Sequence, residues 1–135
     1  MLRPPETAAA TGRDSAVCIL QCLVSRYSAF FGTDLEILLK GLGVDTLVLI
    51  GGLTDVCVHY TFVDGHQNDY FVRVIDDAVG GSSLEAHTAS RNAMEYLQTG
   101  ALRSTDEMLA AFDEYGAARK APHLKAVTVA EKALK

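Results

Sequence analysis

The chain has 135 residues, of which 49% are hydrophobic, and these figures fit one domain with a hydrophobic core. Its formal net charge of -5 is spread over segments of mixed sign, and the sequence has no basic stripe of the kind that nucleic-acid binding requires. The apolar stretches are shorter than the roughly 20 residues that cross a bilayer, and the N-terminus lacks the pattern of a secretory signal. We therefore expect a cytoplasmic protein with no nucleic-acid or membrane partner.

Three cysteines, an odd number, argue against a disulfide framework and fit a reducing compartment. Cys18 and Cys22 lie in one apolar segment, at a spacing compatible with a redox pair or with half of a metal site. Buried free cysteine is a common small apolar residue, so we favour a packing role for this pair. His66, His87 and His123 follow no metal-ligand spacing and are expected at the surface or as caps. We predict neither a metal site nor a cofactor.

The N-terminal part of the chain predicts a leader, a strand, a loop and a helix. Residues 1–16 lack apolar periodicity and are typical of a poorly ordered leader, whereas residues 16–24 form an apolar run suited to a buried strand. Residues 25–32 are a loop rich in aromatic and hydroxyl side chains, and Thr33 or Asp34 then caps a helix. The predicted buried face of this helix and its terminating glycines are Leu35, Leu38, Leu39, Leu42, Gly41 and Gly43.

A strand, a glycine turn and a helix surround Cys57. Residues 46–50 predict a strand covered on both faces, and Gly51 and Gly52 permit a turn that a side chain would block. A helix over residues 55 to about 65 carries Cys57 in its first turn, where exposed N–H groups stabilise a thiolate. The pattern therefore predicts a reactive thiol, and the competing interpretation is a small apolar residue packed against the sheet.

The second half of the chain continues the alternation of strands and helices. The predicted elements are a strand at 70–75 closed by Asp76-Asp77-Ala78, a helix from 82–85 to about 98, an edge strand at 101–103, a helix from 105 to about 115 and a polar tail at 117–135. The side chains expected to face inward from the first of these helices are Ala86, Ala89, Ala93, Met94 and Leu97. This order predicts a parallel sheet with helices on both sides.

Two motifs are prominent in the sequence: residues 26–35, Arg-Tyr-Ser-Ala-Phe-Phe-Gly-Thr-Asp-Leu, and residues 52–58, Gly-Leu-Thr-Asp-Val-Cys-Val. Both resemble motifs of the isochorismatase-like cysteine hydrolases, and the resemblance continues to about residue 109. It implies an α/β fold of three layers, in which a Rossmann-like parallel sheet is flanked by helices, truncated here at the N-terminal side. The corresponding division is a leader at 1–16, a partial hydrolase domain at 17–115 and a tail at 116–135.

The resemblance also implies a chemistry. Members of the family hydrolyse nicotinamide, N-carbamoylsarcosine, ureidoacrylate and related small compounds through a cysteine, and Cys57 matches that nucleophile. Because the true isochorismatases usually lack a cysteine at this place, Cys57 favours hydrolysis of a C–N bond. The family's oxyanion donors correspond to the backbone N–H groups of Leu53 and Cys57, and its cis peptide bond corresponds to Gly52-Leu53.

The two motifs also contain expected substrate contacts. Tyr27 and Phe30 lie in the loop that borders the family's pocket, where aromatic rings hold a planar substrate, although anchoring of the loop to the core explains them equally well. Thr54 is a further substrate contact in one interpretation, and a helix cap together with Asp55 in the other, which we favour. His59 is not expected to be the base of Cys57, because residues two apart on a helix point to different faces.

Two catalytic groups of the family have no counterpart in this sequence. Relatives carry the activating aspartate in an Asp-x-Gln segment near the start of the domain, and Val24 occupies the position of their lysine. The resemblance therefore implies a cysteine-dependent hydrolase of a small amide, carbamoyl or ureido compound that is weak or inactive, because the members of a triad act as a unit. Whether this chain is an enzyme stays open at this point.

The alternative is a non-catalytic remnant that self-associates or pairs with a full-length relative. Relatives have a six-stranded sheet in the order 3-2-1-4-5-6, and this chain lacks recognisable first and second strands. The inner edge of the strand at 46–50 would then be unpaired, and a long apolar edge must be covered, paired with another chain or left as an aggregation hazard. Either residues 16–24 pair directly with this edge, or the chain depends on a partner, or it is a fragment. For the partner we expect a second copy of the chain, which makes a homo-oligomer.

Overall fold

A computed structural model describes residues 26–118 of the chain. The predicted leader, the strand at 16–24, the pair Cys18 and Cys22, His123 and nearly all of the tail lie outside the described residues. The elements are α1 (Leu35–Leu42), β1 (Thr46–Gly52), a π-helical turn (Thr54–Val58), α2 (His59–Gln67), β2 (Phe71–Gly80), α3 (Leu84–Leu97), β3 (Leu102–Arg103) and α4 (Thr105–Ala118). We call Thr54–Val58 the cysteine turn, because it contains Cys57.

The three strands form one parallel sheet in the order β1-β2-β3, as the alternation of elements predicts. Thr46 of β1 lies opposite Phe71 of β2, and the register shifts between Leu49 and Gly51. This shift is a bulge in the pairing, and beyond it Gly52 lies opposite Gly80. Within the described residues β1 is therefore an edge strand and β2 is the central one.

The helices cover both faces of the sheet, as expected for a three-layer α/β fold. One buried cluster joins α1, α2, α3 and one face of β2, and its fully buried members are Phe62, Val72, Val74, Met94 and Ala101. Ile75 of β2 and Met108 of α4 are buried outside this cluster. Because neighbouring strand residues point to opposite faces, α4 covers the face to which Ile75 points.

The buried faces of α1 and α3 are narrower than the apolar spacing predicts. In α1 only Leu35 and Leu39 of the four leucines are buried, because Leu38 and Leu42 lie on a flank that no described element covers. Gly43 ends α1 in the left-handed conformation with φ 69°, as predicted. In α3 the buried residues are Ser90 and Met94. The predicted inward positions Ala89 and Leu97 are exposed, so that part of the prediction is wrong.

Strand β2 is longer than the sequence pattern predicts. It continues through Asp76, Asp77 and Ala78 to Gly80, whereas the acidic pair was expected to close it. The reason is that both carboxylates find partners on the helices: Asp76 pairs with Arg91 of α3, and Asp77 Oδ1 accepts hydrogen bonds from Thr105 N and Oγ1, both at 2.9 Å. In the part of the chain described here, no helix is long and apolar enough to span a bilayer.

Candidate active site

The candidate site is built where β1 ends. Gly51 has φ 103°, a conformation that glycine adopts without steric cost, and the peptide bond between Gly52 and Leu53 is cis, as the resemblance implies. Leu53 is extended and leads directly into the cysteine turn. Cys57 is a free, partly buried cysteine on that turn. The turn therefore places the thiol beyond the carboxyl end of a parallel strand, where α/β sheets bind their ligands.

Backbone hydrogen bonds close the cysteine turn on both sides of Cys57. The carbonyl of Leu53 accepts hydrogen bonds from the N–H groups of Val56 and Val58, each at 3.1 Å. The N–H group of His59 donates to the carbonyl of Thr54. The backbone position of Cys57 therefore depends on the positions of Leu53 and Thr54.

Asp55 ties the cysteine turn to the connection between β2 and α3. Its Oδ1 accepts a hydrogen bond from Ser82 N at 2.7 Å, and its Oδ2 accepts one from Ser82 Oγ at 2.5 Å. The hydrogen bond from the Ser82 hydroxyl, followed by that from the Ser82 backbone, lowers the pKa of Asp55 below its usual range. The carboxylate of Asp55 is thus an ionised anchor of the turn.

Thr54 forms the second tie to α3. Its side chain is fully buried, and its Oγ1 lies 2.9 Å from Nδ1 of His87. The expectation that Thr54 and Asp55 act as helix caps is wrong, since Leu53 occupies the N-cap position, the Thr54 side chain bonds to His87 of α3, and the Asp55 side chain bonds to Ser82 of the β2–α3 connection. His87, which the sequence suggested only as a surface or cap residue, is the partner that sequence reasoning missed.

The loop at residues 26–33 carries the two aromatic residues expected to contact substrate. Tyr27 is exposed and stacks on Tyr60 of α2 with ring centroids 5.9 Å apart. Phe30 instead packs against the buried cluster and stacks on Tyr70 at 6.0 Å. A shallow cavity of about 290 Å³ lies beside the first pair, and its lining residues are Arg26, Tyr27, Ser28, Phe31, Tyr60 and Asp64. Of the two aromatic residues, only Tyr27 therefore faces this cavity.

The surroundings of two further polar residues, His59 and Lys40, also bear on the site. His59 lies edge-on to the ring of Tyr60, and its Nδ1 is buried without a hydrogen-bond partner in the described structure. Lys40, the first lysine of the chain, bonds to Glu36 at 2.5 Å on α1. Among the described residues, no group of three or more His, Cys, Asp or Glu side chains is arranged to hold a metal ion. The geometry thus brings Leu53, Thr54 and Cys57 together and leaves Phe30 in the core.

A protein-family model matches the part of the chain that carries this site. Residues 11–107, more than half of the chain, match the family model described as the isochorismatase domain. The chain belongs to this family. The match begins at residue 11, ahead of the first of the two motifs, which starts at residue 26. It includes β1, the cysteine turn and β3. An isochorismatase domain has therefore been identified in which Cys57 lies on the turn after β1.

Individual relatives resemble the same part of the chain. The ureidoacrylate amidohydrolase of Methylorubrum extorquens is 41% identical over 81 residues, which are 60% of this chain and 29% of that protein. The crystal structure of the pyrazinamidase/nicotinamidase of Streptococcus mutans UA159 has a TM-score of 0.56 and 40% identity, covering 58% of this chain and 43% of that chain. An isochorismatase-like hydrolase from Alkaliphilus metalliredigens has a TM-score of 0.60 and 33% identity, covering 64% and 48%. The chain spans less than half the length of each.

Proposed function

We propose that this isochorismatase domain is a cysteine hydrolase domain for a small amide, carbamoyl or ureido compound, with Cys57 as its nucleophile. The observation that carries the proposal is the free thiol on a hydrogen-bonded turn directly after a parallel strand. The similarity to a ureidoacrylate amidohydrolase and to a pyrazinamidase/nicotinamidase supports a C–N bond as the one cleaved. A cytoplasmic site of action is part of the same proposal.

The chemistry follows from a thiolate and two backbone donors. The thiolate of Cys57 attacks the carbonyl carbon, and the electron pair of the C=O bond moves to oxygen, where the N–H groups of Leu53 and Cys57 stabilise the charge. Collapse of this intermediate breaks the C–N bond, and the leaving nitrogen takes up a proton from water. The resulting hydroxide hydrolyses the acyl-enzyme, which restores the thiolate of Cys57 and releases a carboxylic acid from an amide, or a carbamic acid from a carbamoyl or ureido compound. Tyr27 is the substrate contact we retain, since Phe30 and Thr54 are engaged elsewhere.

Turnover by this chain is expected to be orders of magnitude below that of a complete triad, because triad members act as a unit. In the described part, Asp55 is committed to Ser82 and Lys40 to Glu36, so neither is available to Cys57. The sequence contains no Asp-x-Gln segment from which the family's base could come. The proposal therefore assigns the nucleophile and its donors to this chain, together with a slow reaction.

Alkylation of Cys57 tests the proposal. In a Cys18→Ser/Cys22→Ser background Cys57 is the single thiol, and we expect iodoacetamide at neutral pH to modify it faster than it modifies a thiol in a short unstructured peptide. Peptide mapping locates the adduct, and the Cys57→Ser variant is the control. A rate equal to that of the peptide thiol would refute the activated nucleophile.

A second function, self-association without catalysis, is favoured by the outer edge of β1, which pairs with no other strand among residues 26–118. Ile50 on this edge is 67% exposed, and Val48 and the α1 residue Ile37 are also exposed. An exposed apolar strand edge pairs readily with another chain. Light scattering over a dilution series is expected to detect oligomers that Ile50→Lys disrupts, whereas Tyr96→Lys on α3 leaves them unchanged. A monomer at every concentration would refute this function.

A further inference from the structure

We propose that His87 is a positioning residue for Cys57, which holds the cysteine turn in place through the buried hydroxyl of Thr54. This inference rests on the proposed function, because it concerns the geometry of the same thiol and the same backbone donors. His87 belongs to the first turn of α3 and lies 33 positions after Thr54 in the chain. Nothing in the spacing of the two residues reveals the contact.

Loss of the hydrogen bond between Thr54 and His87 would lower the stability of the fold. The Thr54 side chain has no exposed surface, so its hydroxyl cannot turn to water when the imidazole is removed. Nδ1 of His87 lies 2.9 Å from Oγ1 and supplies the partner. The backbone N–H group of His87 donates to the carbonyl of Ser83 at 2.9 Å, which fixes His87 on the helix. The imidazole is therefore a fixed point against which Thr54 is held.

The β2–α3 connection and the first turn of α3 hold the cysteine turn at two adjacent residues. Thr54 is held by His87, and Asp55 is held by Ser82. The backbone of Gly81 lies close to both contacts, since a Cβ atom on Gly81 would be 2.6 Å from Cβ of His87 and 3.0 Å from Oδ1 of Asp55. Two polar contacts on neighbouring residues restrain the rotation of the turn as well as its position.

The restraint acts on the groups that would do the chemistry. Leu53, one proposed oxyanion donor, directly precedes Thr54, and Cys57, which carries both the thiol and the second donor, follows Thr54 by three residues. The carbonyl of Thr54 accepts the hydrogen bond from His59 N–H that closes the turn after Cys57. A shift of Thr54 therefore moves the Leu53 donor relative to the thiol and the donor of Cys57. Misplacement by about 1 Å costs up to roughly 100-fold in rate at an active site. His87 touches none of the reacting atoms and acts through Thr54.

Two substitutions of His87 separate the hydrogen bond from the space that the ring fills. In the Cys18→Ser/Cys22→Ser background, His87→Asn keeps a polar atom near the place of Nδ1, whereas His87→Leu fills the volume without one. We expect His87→Leu to slow alkylation of Cys57 by about tenfold and to move the midpoint of the rate–pH profile to higher pH. His87→Asn is expected to stay within about twofold of the parent and to keep its profile. Equal rates and profiles for the two variants would overturn the proposal.

Amide hydrogen exchange gives a readout that does not depend on thiol chemistry. Amides of residues 54–58 are expected to exchange faster in His87→Leu than in His87→Asn, while those of α4 stay unchanged. If Cys57 of the parent reacts only as fast as a free thiol, the proposed nucleophile fails, and unchanged exchange is the separate result that refutes the role of His87. Thr54→Val removes the same hydrogen bond from the other side, so it must reproduce both effects even if His87→Leu does not fold.

Discussion

Alanine substitutions at two neighbouring glycines, Gly80 and Gly81, are expected to have opposite effects on stability. A Cβ atom on Gly80 would meet no other atom within 4 Å, whereas one on Gly81 would lie 2.6 Å from Cβ and 3.1 Å from Cα of His87. Neither atom is the movable end of a side chain, so α3 or the cysteine turn must shift to relieve the overlap. Overpacking of this kind costs about 1–3 kcal/mol.

The comparison isolates the clash because both substitutions reduce the entropy of the unfolded chain by a similar amount. This effect stabilises a glycine-to-alanine variant by about 0.4–1 kcal/mol where the backbone conformation tolerates alanine. Gly80→Ala is therefore expected to be neutral or slightly stabilising, and Gly81→Ala to be less stable than Gly80→Ala by about 1–3 kcal/mol.

Urea unfolding followed by far-UV circular dichroism measures the two free energies of unfolding, and iodoacetamide gives the rate of Cys57 modification for each variant. Gly81→Ala is expected to lose part of the reactivity of Cys57, because the overlap pushes His87 and Asp55 away from the connection. Stabilities within about 0.5 kcal/mol of each other, the scatter of neutral surface substitutions, together with equal alkylation rates, would refute the reasoning.

Two further predictions concern the core and the ionised anchor. Met94→Ala removes a fully buried side chain and is expected to cost about 2–5 kcal/mol of unfolding free energy, whereas Tyr96→Ala, at a side chain 87% exposed, is expected to change it by less than about 0.5 kcal/mol; urea unfolding of both checks this. The pKa of Asp55 is lowered below its ordinary 3.8 by the Ser82 hydrogen bonds, so its contribution to stability is present above that pH and lost as the pH falls through the folded-state pKa. The stability difference between the parent and Asp55→Asn should therefore shrink below about pH 3.8, and a difference that is constant with pH would contradict the anchor role.

The elements that sequence reasoning predicted well are those in which local signals agree. The apolar run at 46–50 locates β1, the terminating Gly43 ends α1, and the serines before Leu84 begin α3. The expectation that β1 is covered on both faces is wrong among the described residues, because none of its own residues is buried. The Ser83 side chain accepts a hydrogen bond from Ala86 N at 3.1 Å, which is the expected N-cap geometry. Tertiary packing was not needed to find these boundaries.

The errors arose where contacts with residues distant in the chain determine the structure. An acidic pair usually indicates the end of a strand, but Asp76 contacts Arg91 of α3 and Asp77 accepts a hydrogen bond from Thr105 of α4, so β2 continues past both carboxylates. The buried face of α1 could not be limited to Leu35 and Leu39 from spacing alone, because the exposure of Leu38 depends on which elements pack against α1. The same limit concealed the contact between Thr54 and His87, since both residue types have ordinary local roles at helix ends.

The side-chain contacts that hold the cysteine turn and the outer edge of β1 involve different residues. The polar side-chain contacts that hold the turn come from Ser82, just before α3, and from His87 in α3, both later in the chain than Cys57. Among the described residues, these contacts do not involve the outer edge of β1. In the proposed function, the placement of the thiol therefore depends on Ser82 and His87, separately from the supply of its catalytic partners.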